Sequence, residues 1–408
     1  MKSKRSLKQW LLHEENRVYS ILVISTTLLL IVTVAHNQPI SKRLSAYTPS
    51  SASSTSAPSA TGSKTAGTSS AAVKTINPTG STGITNDVSA KAAPAATMKA
   101  ATNSTASAAP AVAKTATLYA NPSSNVASNA RAWATANPSN AGAMNRLAAT
   151  PMAQWFGDFS GNAQTGANQY VTAAIAASKV PVLVAYNIPQ RDCGSYSSGG
   201  ATSATAYQSW INSFAAGIGQ RSAIVIVEPD ALADMDCLSA SDQTTREQLL
   251  SYAVQTLRAD TKAAIYLDAG HYNWQSVATM TSRLNAADMA AATGFSLNVS
   301  NFETTANNTA YGTSLSATVS GKHFVIDTSR NGNGPASGDT AWCNPDGRSF
   351  GNTPTLQTGN SLVDAYLWVK APGESDGQCG PAQYGTAAPA AGVWWPQYAL
   401  MLEANSGW

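Results

Sequence analysis

Six stretches of this chain open in apolar, β-branched or aromatic residues and close in polar ones. They are "KVPVLVAYNIPQRD", "SAIVIVEPDALA", "KAAIYLDAGHYNW", "GFSLNVSNF", "KHFVIDTSRNGNG" and "SLVDAYLWVKAPGESDG". Helical or loop segments separate most of them, for example residues 245–260 and 274–292, and a further helix, residues 168–178, precedes the first. Strands that are apolar along their whole length are buried on both faces, and their alternation with helices makes them parallel. A closed α/β barrel and an open doubly wound sheet both fit. In either one, ligands bind beyond the carboxyl ends of the strands. No Gly-x-Gly-x-x-Gly opens a helix, which disfavours a dinucleotide-binding sheet.

The strand ends therefore form the candidate site. They offer Tyr186, Arg191 and Asp192; Glu228 and Asp230; Asp268, His271 and Trp274; Asn298 and Asn301; Asp327 and Arg330; and Lys370, Glu374 and Asp376. In a parallel barrel these side chains share one rim. Any single carboxylate there could cap a helix or pair with a cation, but a whole set at strand ends points to a site. The proline of "VEPD" sharpens the question. Pro229 ends the strand's hydrogen bonding and keeps Glu228 out of helical geometry, so that Asp230 is delivered on a stiff support.

Crowded carboxylates without metal ligands suit cleavage of a glycosidic bond. One must be protonated to donate to the leaving oxygen, and another ionised to activate water or face the developing positive charge. Like charges held close together raise at least one pKa, which supplies the acid. Trp155, Trp274 and Trp342 offer flat faces for sugar rings, and amides and ammonium groups suit the hydroxyls. The four His residues are scattered and no Cys-x-x-Cys occurs, so no zinc site is written in the sequence and no cofactor is expected.

Charge and texture divide the 408 residues into three parts. Residues 1–117 carry 12 Lys and Arg against 3 acids, and the rest carry 13 against 19. A mildly acidic body argues against nucleic-acid binding. Lys2, Lys4, Arg5, Lys8 and Arg17 precede an uncharged run, Val18 to Ala35, which reads either as a cleaved export signal or as a signal anchor at the lower length limit of a spanning helix. Residues 1–35 are thus a signal or membrane attachment, and the body is expected outside the cytoplasm, secreted or anchored. Residues 36–117 are Ala, Ser, Thr, Pro and Gly with a few Lys, too poor in large apolar groups to offset their ordering entropy, and are expected to be a disordered linker. Residues 118–408 are the catalytic body, which is 43% hydrophobic when averaged with the rest and rich enough in Trp and Tyr for one large core. All four cysteines, 193, 237, 343 and 379, lie in it, and export favours two disulfides. Four cysteines allow three connectivities, of which the pairing of sequence neighbours is preferred.

From about Leu118 onward the chain resembles the family six glycoside hydrolases, cellulases that cut β-1,4-glucan with inversion. The resemblance rests on "YNIPQRDCG", "VIVEPDALA", "YLDAGHYNW", "NVSNF", "DTSRNGNGP", "WCNPDGR" and "LWVKAPGESDG", which occur in the family's order. It implies a distorted seven-stranded parallel α/β barrel and the disulfides Cys193–Cys237 and Cys343–Cys379. Position by position, it implies Asp230 as general acid and Asp192 as the carboxylate that raises the acid's pKa and assists the water relay. It implies Asp376 as the proposed base, Asp268 as a support for the acid, and Tyr186 as the tyrosine beside the distorted sugar ring. Ser198 matches the serine that holds the water, with Ser197 one residue away. Trp155, His271, Trp274, Asn301, Trp342, Lys370 and Glu374 match substrate-binding positions, and Arg191 is grouped with them.

The family contains endo- and exo-acting members, the latter with long loops that roof the cleft. Here the spans from "RNGNGP" to "WCN" and from Cys379 to "GVWWPQYAL" are short. An endoglucanase acting on cellulose or soluble β-glucan as a monomer is therefore expected. An exo-acting cellobiohydrolase and a non-catalytic glucan-binding protein are the alternatives.

Overall fold

The computed structural model describes residues 111–338, 340–380 and 387–408. The apolar run 18–35 and most of the linker lie outside them. Among the described residues, no helix is long and apolar enough to cross a membrane.

Seven parallel strands form one sheet in sequence order: β1 Gln154–Phe156, β2 Val182–Ala185, β3 Ile224–Val227, β4 Ala264–Asp268, β5 Gly294–Leu297, β6 His323–Asp327 and β7 Val363–Leu367. The six apolar stretches are β2 to β7. The seventh strand implied by the resemblance is β1, three residues long and too short to carry a period of its own. No strand ladder joins β1 to β7 among the described residues. The seam is held instead by the Ala153 N–H donating to Trp368 O at 3.0 Å. The Trp155 indole N–H also donates across it, to Val369 O at 2.8 Å. This is the distortion in the barrel.

Alternation along each strand builds two apolar layers. Val182, Val184, Ile224, Ile226, Ala264, Tyr266, Val325 and Ala365 pack together inside the barrel. Leu183, Val225, Val227, Ile265, Leu267, Phe295 and Phe324 pack outward against helices. Tyr186 continues the inward parity of β2, Asp268 that of β4 and Asp327 that of β6. The polar rim is thus the same inward face, carried past the end of the apolar layer.

Between the strands run α3 Ala163–Ala176, α4 Ala204–Ile218, α5 Ala240–Asp260, α6 Val277–Ala286 and α7 Thr305–Thr318. Two helices, α1 Asn125–Ala136 and α2 Ala141–Ala149, come before β1, and α8 Pro396–Ala404 ends the fold. Three helix bounds differ from the sequence expectation, and caps explain the starts. Helix α3 begins at Ala163 because the Asn162 side chain accepts the Thr165 N–H. Helix α5 begins at Ala240 because Ser239 accepts from Asp242. Helix α6 begins at Val277 behind Ser276, leaving Trp274 in the preceding turn, and it ends at Ala286 rather than Ala292. Each cap satisfies an N–H that the helix cannot pair internally. Helices α1, α2 and α8 share a third apolar cluster with Phe350, Trp368 and Trp395.

Contacts with the body begin slightly before the change of texture at Leu118. The Lys114 ammonium donates to the carbonyls of Val363 and Asp364 at 3.2 and 2.7 Å.

Candidate active site

Backbone strain marks the rim. Of the eleven non-glycine residues with positive φ among the described residues, Ser178, Asp288 and Ser320 follow helices. The other eight, Gln190, Asp192, Cys193, Glu228, Asp230, Asn298, Ser300 and Asn344, sit beyond strand ends. Such conformations persist only where the surroundings over-determine them, and they concentrate at functional sites.

After β3 the chain takes φ of 51° at Glu228 and 70° at Asp230. The two carboxylates then part company. Glu228 is buried, and its oxygens accept the Asn187 N–H at 2.9 and 3.0 Å and the Ile188 N–H at 3.0 Å. It fastens the turn after β2 to the turn after β3. Asp230 is half-buried and faces the site. Its N–H donates to Asp268 Oδ1 at 3.0 Å.

Asp268 lies at the floor, accepting also from the Gly270 N–H at 3.1 Å and the Ser296 hydroxyl at 2.9 Å. Burial pushes its pKa up to about 7, against the pull of those hydrogen bonds. Asp230 is raised well above the usual carboxylate range, first by burial, then by the charges of Asp268, Asp192 and Asp234, with Lys370 opposing. Asp192 is also raised by burial, partly countered by the Ser197 N–H at 2.6 Å and by Arg191. Three carboxyls that cannot all be ionised together favour a proton on the most deeply crowded, as a general acid requires.

Asp376 has a different environment. Arg330, fully buried, donates to its Oδ2 at 2.8 Å, the Lys370 ammonium is 3.6 Å from Oδ1, and the Asn344 N–H donates at 3.0 Å. One site thus holds a carboxyl pressed toward its neutral form and a second in an ion-paired cradle.

Sequence reasoning noted Arg330 at a strand end but gave it no role. It also passed over Asn344, whose side-chain oxygen accepts the Asp376 N–H at 2.7 Å. An Arg shortly after a strand among acidic strand ends is the available signal for the first; nothing local marks the second. Asp327, noted but unassigned, accepts four backbone N–H groups, from Ser300, Ser329, Val369 and Lys370, and so ties the ends of β5, β6 and β7.

Arg191 was grouped with the substrate-binding residues, but its guanidinium is occupied within the fold. It pairs with Asp158 at 2.9 Å and donates to the carbonyls of Tyr186, Ser197 and Ser198 at 2.7, 2.8 and 3.1 Å. It lies 4.5 Å over the Tyr186 ring. Its action is on the 191–200 loop. Ser198 is exposed on that loop, while Ser197 is the residue whose backbone reaches Asp192.

Tyr186 is buried with its ring edge-on to Trp155 at 5.0 Å, and its hydroxyl feels the Asp230 and Asp192 charges. His271 and Trp274 are neighbours at 5.4 Å, and burial lowers the His271 pKa to about 4, so it is neutral near pH 7. The Lys370 ammonium donates to Ser375 O at 3.1 Å, and burial raises the Glu374 carboxyl against the pull of Lys370 and Arg330. Asn301 is half-buried, its amide donating to Val299 O at 3.0 Å. Trp342 is 44% exposed, with the Tyr196 ring 5.9 Å away.

Disulfides Cys193–Cys237 and Cys343–Cys379 are formed as the resemblance implied. The first pins the loop after β2 to the turn after β3, beside Asp192. The second pins the loops after β6 and β7, beside Asp376. No group of three or more His, Cys, Asp or Glu able to hold a metal occurs among the described residues.

The fold and the rim together define a parallel α/β barrel with a carboxylate site suited to glycosidic-bond hydrolysis. The family model for glycosyl hydrolases family 6 matches residues 113–406, and the chain belongs to that family. Endoglucanase A of Cellulomonas fimi is 46% identical over 281 residues, covering 68% of this chain and 59% of that protein's length. Endoglucanase 1 of Streptomyces halstedii is 47% identical over 279 residues, covering 66% of this chain and 84% of the relative. Among solved structures, the endoglucanase Cel6 from Mycobacterium tuberculosis, in complex with a thio-linked cello-oligosaccharide, superposes with a TM-score of 0.68 at 47% identity, covering 72% of this chain and 98% of that one.

Proposed function

We propose that this chain is an endo-1,4-β-glucanase that hydrolyses internal bonds of cellulose or soluble β-glucan by single displacement with inversion. The observation that carries the reading is the contrast between Asp230, whose pKa is raised well above the usual range, and Asp376, cradled by Arg330 and Lys370. Asp230 donates its proton to the glycosidic oxygen as the bond to the sugar lengthens. Water attacks the opposite face, helped by Asp376 or relayed through Ser198 and Asp192. An inverting pair needs about 6.5–9.5 Å between carboxyls to admit that water. Asp268 keeps Asp230 protonated and turned into the site. Trp155, His271, Trp274, Asn301, Trp342, Lys370 and Glu374 contact the glucan, while Arg191 positions the loop that carries Ser198.

Endo action is supported by the names of the relatives and by the short loops after β6 and β7. The two disulfides support an extracytoplasmic site of action, with residues 18–35 as signal or anchor. Two measurements test the reading. Hydroxyethyl cellulose should lose viscosity quickly with few new reducing ends. Proton NMR of fresh product should show the α anomer; an initial β anomer would exclude inversion.

A further inference from the structure

One aromatic at the rim has no part in the mechanism above. Tyr196 is 50% exposed at the tip of the loop after β2. That loop is pinned at its base. Asp192 holds the Ser197 N–H, Arg191 holds the carbonyls of Ser197 and Ser198, and Asp158 accepts the Gly200 N–H at 3.1 Å. Gly199 and Gly200, at φ of 141° and 94°, let the chain turn back at once.

From this base the tip reaches loops of distant strands. The Tyr196 ring lies 5.9 Å from that of Trp342, tilted by 48°, on the loop after β6. It also packs on Gly377, next to Asp376, so closely that a Cβ there would stand 2.9 Å from Tyr196 Cβ and 3.1 Å from its ring. Since β2 is not a sheet neighbour of β6 or β7, this contact crosses the mouth of the barrel from the Asp192 side to the Asp376 side. The far wall is fixed, because Cys343, beside Trp342, is bonded to Cys379. Among the described residues no hydrogen bond of the Tyr196 hydroxyl accompanies the contact. The backbone of the tip is held by its own turn, Ser195 N–H to Asp192 O at 2.7 Å and Ser198 N–H to Ser195 O at 3.1 Å, and the Tyr196 side chain meets the far wall by ring packing.

That packing conflicts with a sugar on Trp342. A glucosyl unit between two aromatic faces needs a van der Waals layer of about 3.5–4 Å on each side, so the rings must stand about 7–8 Å apart. The observed separation is 5.9 Å. We propose that Tyr196 is an aromatic latch over a sugar-binding stretch of the cleft. It occupies the face of Trp342 when the site is empty, must swing away before a glucosyl unit can stack there, and then covers that unit from above. The proposal rests on the reading of Trp342 as a sugar platform. It makes this stretch of cleft a covered one, closed by a single side chain rather than by long loops.

The test uses the full chain carrying Asp230→Asn, whose turnover should be slow enough to separate binding from hydrolysis, and stopped-flow tryptophan fluorescence with cellohexaose. Aromatic packing of this kind sets an opening cost that corresponds to about a two- to tenfold change in rate. Adding Tyr196→Ala should raise both the association and the dissociation rate constants by that factor. Adding Tyr196→Phe, which keeps the ring, should leave both unchanged. Trp342→Ala should weaken binding at least tenfold. If Trp342→Ala weakens binding but Tyr196→Ala alters neither rate, the latch is wrong and the platform stands. If Trp342→Ala leaves affinity unchanged, the platform reading fails and the latch falls with it.

Discussion

Replacing Asp268 by Asn removes a charge from beside Asp230 while preserving its supports. Asp268 Oδ1 accepts the N–H groups of Asp230 and Gly270 at 3.0 and 3.1 Å, and an amide oxygen serves both. The Ser296 hydroxyl, which donates to Oδ2 at 2.9 Å, turns to accept from the new amide. A like charge within about 4–6 Å at an effective dielectric near 20 repels by about 3–4 kcal/mol, or about two to three pH units before solvent screening. Among neighbouring charges, Asp268 acts most strongly on Asp230, after burial itself. The Asp230 pKa is raised by this charge, so removing the charge lowers it. Activity needs Asp230 protonated, so the basic limb of kcat/KM on hydroxyethyl cellulose should move to lower pH by about one to two units.

Stability supplies a second readout of the same substitution. Asp268 is raised from 3.8 when free to about 7 in the fold, so the native state holds an extra proton between those values. Stability contributed by that protonation is complete below pH 3.8 and is lost as pH rises through about 7. Asn does not titrate, so Asp268→Asn should gain on the parent by an amount on the order of 4 kcal/mol between pH 4 and pH 8 in urea unfolding. An unmoved basic limb, or a stability difference independent of pH, would refute the reasoning.

Asp230→Asn should lower kcat at least 10²–10⁴-fold while leaving the affinity for a non-hydrolysable thio-oligosaccharide within about twofold; parent-like turnover would remove Asp230 as the acid. Glu228→Gln sets an amide N–H₂ against the Asn187 and Ile188 donors and should cost about 1–3 kcal/mol in urea unfolding; an unchanged midpoint would show that these N–H groups do not need the carboxylate. Replacing Cys343 and Cys379 together by Ser opens a 36-residue loop and should cost about 2–4 kcal/mol; it should also raise KM, because Trp342 and Asp376 lose their tether, and a change in stability without any in KM would separate the bond from the site.

Legibility varied along the chain for physical reasons. Strands β2, β3, β4 and β6 are readable because burial on both faces demands apolar runs, and β5 and β7 stay readable around Ser296 and Asp364. Strand β1 was not, since three residues carry no pattern and its place is set by its hydrogen bonds to β2. Helix starts at Asn162, Ser239 and Ser276 were available as capping residues and were set too late or too early by weighing apolar period alone. Glu228 stands two residues before Asp230 at the same strand end, and only its contacts with the Asn187 and Ile188 N–H groups make it a support.

The sequence by itself determined the layering, the rim and its chemistry, because strand parity and the end of an apolar run are local properties of the chain. Only the tertiary structure decided which carboxyl is crowded and which is ion-paired. Asp230 and Asp376 are both aspartates after strands, and their difference comes from Asp268, Asp192 and burial on one side and Arg330 and Lys370 on the other. It also decided that Arg191 holds a loop and that Tyr196 reaches Trp342. Charge and ring contacts act through space over a few ångströms, between residues as distant in the chain as Tyr196 and Trp342.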